Sequence, residues 1–193
     1  MILKLVTAPV AEPITTAEAK THLRIDGSDE DTLIDTYIMA ARQLCEMEAR
    51  RAFVTQTFDL FLEQWPASDE IMLPRPPLQS VTSITYTDSN GNAQTMPSAD
   101  YLVDTASEPG RVVLSYGGTW PSATLRPGPA ITVRFVAGYG LAAAVPAMYK
   151  QAIKLLVGHW YENREQVVLA PGLGAAQLPM GVKALLMVDR GWS

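Results

Sequence analysis

The sequence is poor in the residues on which most site chemistry depends. It holds one cysteine, Cys45, and two histidines, His22 and His159, in 193 residues. A single cysteine excludes an intrachain disulfide and a thiolate metal cluster. Its helical spacing from Ile38 and Ala41 predicts a small buried hydrophobe, not a reactive thiol. The two histidines are far apart in the chain, and no H-E-x-x-H places a second ligand beside either of them. No G-x-S-x-G elbow presents a serine nucleophile. Positive charge is also scarce, with 15 Lys and Arg against 20 Asp and Glu, a net charge of −5. Beyond Arg50-Arg51 there is no basic cluster. Binding to duplex DNA by charge is therefore disfavoured, because neutralising phosphates supplies most of that affinity. An acidic channel past which DNA slides is compatible with the same balance. No apolar run approaches the roughly 20 residues needed to span a bilayer. The opening "MILKLVTAPV" carries one lysine and is cut by Pro9, which does not fit a signal sequence. These absences imply a chain made and kept in a cytoplasm-like compartment, with no membrane partner.

What is present is globular composition, 48% apolar and 18% charged, enough apolar surface for a real core. The periodicity changes twice. Residues 1–52 read as helical. "ITTAEAKTHL" offers Thr15 with Glu18 three residues on, a capping box, and Gly27 ends that helix. "SDEDTLIDTYIMAARQLCEMEARRA" repeats the signal with Ser28 and Asp31. The acids Asp29, Glu30 and Asp31 complement the helix dipole. Leu33, Ile34, Tyr37, Ile38, Ala41, Leu44, Cys45 and Glu48 then mark one face of a long helix from Glu30 to Arg51.

From residue 53 the period becomes two. Phe58, Leu60 and Leu62 alternate with Asp59 and Phe61. "SVTSITYTDSNGNAQTM" reads as a hairpin on a type I′ Asn90-Gly91 turn. "YLVDT", "GRVVLSY" and "AITVRFVAGYG" supply further strands, and prolines from Pro66 to Pro129 separate and blunt them. From Pro146 the helical period returns, with Met148, Ala152, Leu155, Leu156, His159 and Trp160 spaced for packing. A last short helix follows in "LPMGVKALLMVDRGW". The pattern predicts an α+β fold, a discontinuous α-helical core interrupted by an inserted antiparallel β-sandwich or barrel-like domain. Its parts are residues 1–52, 53–144 and 145–193. There is no internal repeat.

Three motifs resemble ligand sites and fail on context. "AGYGLAAA" spells G-x-G-x-x-A at Gly138, Gly140 and Ala143. No strand closes a βαβ unit behind it, and Pro146 starts the helix after the glycines, so it reads as a domain junction. "DSNGN" aligns Asp88, Asn90 and Asn92 like a calcium loop, but its sixth and twelfth positions are Ala93 and Ala99. "LPRPPLQS" has the look of a polyproline ligand and reads better as the rigid lead-in to the hairpin. The densest group of reactive side chains is "VGHWYENREQVV", with His159, Trp160, Glu162 and Arg164. His159 and Glu162 share the i, i+3 spacing of a metal pair, yet no further ligand completes it. Packing of a helix wall or a subunit interface is the reading we prefer. No catalytic residue, cofactor or metal site is assigned.

Taken in order, "EPITTAEAKTHLRIDGSDEDTLI", "FVTQTF", "LPRPPLQSVTSITYTDSNG", "GHWYENRE" and "LPMGVKALL" resemble the head–tail connector (adaptor) proteins of long-tailed phages, prophages and gene transfer agents. The resemblance covers nearly the whole chain. It implies a structural virion protein at the head–tail junction, made in the host cytoplasm. It implies a homo-oligomeric ring of about 12 copies beneath the portal protein, closed by a heterologous interface. The ring would extend the DNA channel without sequence-specific binding and present a surface to a tail-proximal stopper or tail protein. It further implies that the C-terminal segment engages the portal, with Val182, Leu185, Leu186, Val188 and Trp192 as anchors. The alternative for that segment is closure of the same subunit's bundle. The rival functions are a small enzyme using His159 and Glu162, and a DNA-binding regulator built on the N-terminal helices.

Overall fold

The structure is a computed structural model that describes residues 1–163 and 179–187. The chain divides into two compact units. One comprises Met1–Val10 and Arg50–Tyr139; the other comprises Ala11–Ala49 and Gly140–Ser193.

The first unit is built of eight strands: β1 (Ile2–Thr7), β2 (Gln56–Leu62), β3 (Glu70–Met72), β4 (Leu78–Thr87), β5 (Ala93–Thr95), β6 (Tyr101–Asp104), β7 (Arg111–Leu114) and β8 (Ile131–Ala137). They form a five-stranded sheet in the order β1-β2-β8-β4-β5 and a three-stranded sheet in the order β3-β7-β6. All pairings are antiparallel. Alternation decides which residues face inward. Phe58 and Leu60 from β2, Ile84 from β4 and Val133 and Phe135 from β8 share one buried cluster with Ile71, Tyr101 and Val112 of the smaller sheet. The two sheets thus enclose a common core. Phe58 and Phe135 sit opposite each other in register and stack, with centroids 5.6 Å apart.

Two expectations are corrected in this unit. Residues 1–52 do not all belong to the helical part, because β1 pairs with β2. Its pairing partner lies some fifty residues downstream, so nothing local marks it as a strand. The hairpin turn is also not type I′. Gly91 alone has φ near +87° there, and Asn90 is not left-handed. The Gly91 N–H donates to the Asp88 carbonyl (3.0 Å). That is a type I turn followed by a left-handed glycine.

The second unit contains α1 (Thr16–Leu23), α2 (Asp31–Ala49), α3 (Ala147–Glu162) and α4 (Met180–Met187). The capping box before α1 closes both ways. The Glu18 N–H donates to Thr15 Oγ1 (3.1 Å), and the Thr15 N–H donates to Glu18 Oε2 (2.8 Å). α1 stops earlier than Gly27, at Arg24, which takes φ +58°. α2 buries Ile34, Ile38, Ala41, Arg42, Cys45, Glu46 and Ala49. The inward face therefore carries Glu46 where Glu48 was expected. α3 buries Tyr149, Ala152, Ile153, Leu156 and Val157, an i, i+3, i+4, i+7, i+8 stripe. α4 packs on α3 and α2 through Val182 and Leu186.

Candidate assembly surface

The stripe on α3 decides what its reactive end does. Continuing the repeat from Val157 reaches Trp160, which is half-buried and meets Tyr37 of α2 at 6.1 Å between ring centroids, tilted by 58°. His159 falls off the stripe and is exposed. The expectation that His159 packs beside Trp160 is thus corrected: only the tryptophan lies on the inward face. The backbone carbonyl of His159 ends the helix by accepting from the Asn163 N–H (3.0 Å) and from Asn163 Nδ2 (2.8 Å). Glu162 is exposed too, and Arg164 lies outside the described residues. Tyr161 donates a short hydrogen bond to Glu30 at the start of α2. The group that looked suited to proton transfer is a helix end tied by its tyrosine and tryptophan to α2.

Three acids around the start of α2 have partners. Lys20 pairs with Asp31 at 2.6 Å, Thr16 donates to Asp35, and Glu30 receives Tyr161. Among the described residues no group of three or more His, Cys, Asp or Glu is disposed to hold a metal ion. Cys45 is fully buried, and that burial, reinforced by Glu46 and Glu48, pushes its thiol up to about 12. A thiol in that state is not a nucleophile.

The remaining motifs are structural. Gly138 has φ +123°, and a Cβ there would stand 2.5 Å from the Val54 carbonyl oxygen. Its N–H donates to Pro77 (2.9 Å). This glycine is required by close backbone approach, not by a phosphate. Asp88 spends its carboxylate on the turn: Oδ1 accepts from the Asn92 and Asn90 N–H groups, each at 2.9 Å. Those bonds, Asn92 first, hold its carboxyl below the ordinary range. In "LPRPPLQS" the carbonyls of Pro76 and Pro77 are bonded by Ala52 and Gly138, which fixes the segment against its own unit.

Sequence reasoning missed the ionic groups. Arg42, on the inward face of α2, donates through Nε to Glu12 (2.7 Å) and through Nη1 to Glu46 (2.8 Å). The signal was there as an i, i+4 Arg–Glu pair on the apolar stripe. Arg51 pairs with Glu108 at 2.5 Å and donates to the Tyr139 hydroxyl (3.3 Å). Arg111 bridges Glu70 and Asp104, each at 3.0 Å. That bridging, with the bonds from Ser107 first among the causes, holds Asp104 down to about 2.

Of the expected C-terminal anchors, Val182 is fully buried and Leu186 nearly so, both packed within their own unit. They are not available to a partner, because at i, i+4 they form the inward stripe of α4. Leu185 is half-buried, Met180 and Met187 are exposed, and Val188 and Trp192 lie outside the described residues.

What remains is a two-unit molecule with exposed charged and apolar surfaces and no assembled reaction centre among the described residues. Comparison with known proteins agrees with that character. A family model described as "Head completion protein" matches residues 12–169. The chain belongs to the head completion protein family. No curated protein matches it. Among solved structures, it matches a chain in the neck of an empty GTA particle computed with C6 symmetry. There the identity is 28% and the TM-score 0.76, with 96% of this chain and 93% of that chain covered. The same coverage holds for a chain in the virion of a native gene transfer agent (GTA) particle, at 28% identity and TM-score 0.75. It holds again for the neck of a native GTA particle computed with C12 symmetry, at 30% identity and TM-score 0.74. This head completion protein is a structural head–tail connector component and not an enzyme, and its α+β architecture is that of the neck chains.

Proposed function

We propose that the protein is the head–tail adaptor of a phage-like particle, located at the head–tail junction after synthesis in the host cytoplasm. About 12 copies form a ring under the portal protein, closed by a heterologous interface in which one patch meets a different patch on the neighbour. The ring continues the DNA channel and offers its far side to a tail-proximal stopper or tail protein. The observation that carries this reading is the match, over 96% of the chain, to a chain in the neck of a native GTA particle computed with C12 symmetry. The acidic net charge of −5 supports passage of DNA without retention.

Contact with the portal is assigned to the C-terminal segment through what α4 leaves outward, Leu185 with Met187, together with Val188 and Trp192 beyond it. Val182 and Leu186 are excluded from that role by their burial. The test is imaging and mass measurement of the full chain with and without the portal of the same particle. Rings on the portal support the reading. Monomers beside intact portal sink it, whereas monomers in isolation only show that the portal templates assembly.

A further inference from the structure

The two sheets have four outer strands, of which β1 and β6 each carry two or more exposed apolar side chains. β1 is the outer strand of the larger sheet, and Ile2, Lys4, Leu5, Val6 and Thr7 are all exposed. β6 is the outer strand of the smaller sheet. Its Leu102 is 63% exposed and Val103 is 38% exposed. An open edge bearing apolar side chains is a template for another strand, and proteins that must not pair blunt it with proline, lysine or a bulge. β6 has none of these. β1 has Lys4, and its bulge comes only after Leu5.

The two edges fit each other. Leu5 lies opposite Phe58 and Val103 opposite Val112, and both partners belong to the buried core, so Leu5 and Val103 share the inward face. Lys4 lies opposite Asp59 and Asp104 opposite Arg111, on the outward face. An antiparallel register that sets Lys4 against Asp104 therefore sets Leu5 against Val103, with every side chain on its correct face. A one-residue slip would reverse both faces. Among the described residues Lys4 has no ion-pair partner. Two β1 edges meeting each other would bring the same lysine from both copies to one junction and would close a dimer, not a ring. The other two outer strands are poorer: β5 is Ala-Gln-Thr, and the three-residue β3 has its isoleucine in the core and exposes one apolar side chain, Met72.

We infer that β1 of one copy pairs along its free edge with β6 of the next, Lys4 against Asp104 and Leu5 against Val103. This rests on the ring reading above and names the heterologous patches that close the ring. The larger sheet of each copy then continues into the smaller sheet of its neighbour.

The test uses the full chain assembled on portal, carrying Lys4→Cys with Asp104→Cys or, separately, Leu5→Cys with Val103→Cys. Directly opposed positions lie about 5 Å apart at Cβ, within reach of a short bifunctional thiol reagent. Cys45 is buried and stays out of the reaction. Covalent ladders extending beyond dimer in both double variants, with none in the four single variants, support the inference. The second pair guards against loss of the Asp104–Arg111 bridge in the first. Rings visible by imaging but only monomer after cross-linking of both pairs overturn it while leaving the ring reading intact. Absence of any ring with the wild-type chain fails both. Lys4→Gln, which removes the charge without setting a carboxylate against Asp59, should in addition lower ring yield several-fold with little change in melting temperature.

Discussion

Arg134 on β8 grips Asp59 on β2 with two parallel hydrogen bonds, Nε to Oδ1 and Nη2 to Oδ2, each 2.8 Å, between residues in direct cross-strand register. The two ends differ in exposure: the arginine side chain is 46% exposed and the aspartate side chain 9%. Removing one partner should therefore not equal removing the other. Arg134→Ala strands a nearly buried carboxylate, which is costly, whereas Asp59→Ala leaves a guanidinium that water reaches. Arg134→Ala should lower the urea midpoint clearly more than Asp59→Ala, with the double variant close to the milder one. Equal losses in the two single variants would show that water already reaches Asp59.

The Glu12–Arg42–Glu46 group is more enclosed. Arg42 and Glu46 are both buried, and Arg42 is held charged by its two carboxylates against the cost of burial. Arg42→Ala should cost about 3 kcal/mol by removing the buried guanidinium that Glu12 and Glu46 both engage, seen as a lower denaturation midpoint of the helical unit. Replacing the whole group, with Glu12→Gln, Arg42→Met and Glu46→Leu together, should recover most of that loss. Full additivity of the three single losses would show that the group is not coupled.

Burial of Cys45 makes two outcomes measurable. The thiol should resist alkylation at neutral pH in the native protein and react fully in denaturant. Its folded pKa of about 12 lies above the ordinary value of 9.0, so between these the unfolded chain has lost the proton and the folded chain has kept it. Stability from this group is thus complete below about pH 9 and falls as pH rises toward 12. Cys45→Ala should flatten that alkaline fall. A wild-type thiol that alkylates at the rate of an unfolded one would contradict the burial of α2's inner face.

Asp104 works in the opposite direction. Ser107 first, and then Arg111, hold its carboxyl down to about 2 against an ordinary 3.8. The folded state is favoured above pH 3.8, and the advantage is lost as pH falls toward 2. Asp104→Asn should reduce the acid sensitivity of melting in that window while lowering stability slightly at pH 7. A variant with the same acid profile as wild type would place the acid limb on another carboxylate.

How far the sequence could be read depends on the range over which each feature is written. Thr15 and Glu18 are three residues apart, and the capping box they predict is formed. The α3 stripe from Tyr149 to Val157 likewise follows from local spacing. β1 escapes such reading because six residues, one of them lysine, become a strand only when β2 lies alongside. Spacing from Leu155 and Leu156 predicts His159 inward, but the buried stripe is centred on Ile153, Leu156 and Val157 and leaves His159 just outside it. One residue on a helix is a turn of about 100°, enough to carry a side chain from the core to solvent. The type of the 88–91 turn depended on whether Asn90 takes positive φ, which the dipeptide alone permits but does not impose. The ion pairs Asp59–Arg134 and Arg51–Glu108 join residues far apart in sequence, so only the folded arrangement reveals them.

The division of labour along α4 gives the last prediction, and it separates folding from assembly. Val182 and Leu186 are buried at i, i+4, while Leu185 is half-buried and Met187 exposed on the same eight-residue helix. Leu186→Ala removes buried apolar contacts and should cost about 3 kcal/mol, lowering the melting temperature whether or not portal is present. Leu185→Asp should leave the melting temperature near wild type, because that side chain is already half in water. It should weaken retention on portal at least several-fold in co-sedimentation. If Leu185→Asp binds portal as wild type does and the neighbouring Met187→Asp does too, the outward side of α4 is not the docking face. If Leu186→Ala leaves stability unchanged, α4 does not close the helical unit at all. The two readouts are independent, so a variant that unfolds cannot be mistaken for one that has lost its partner.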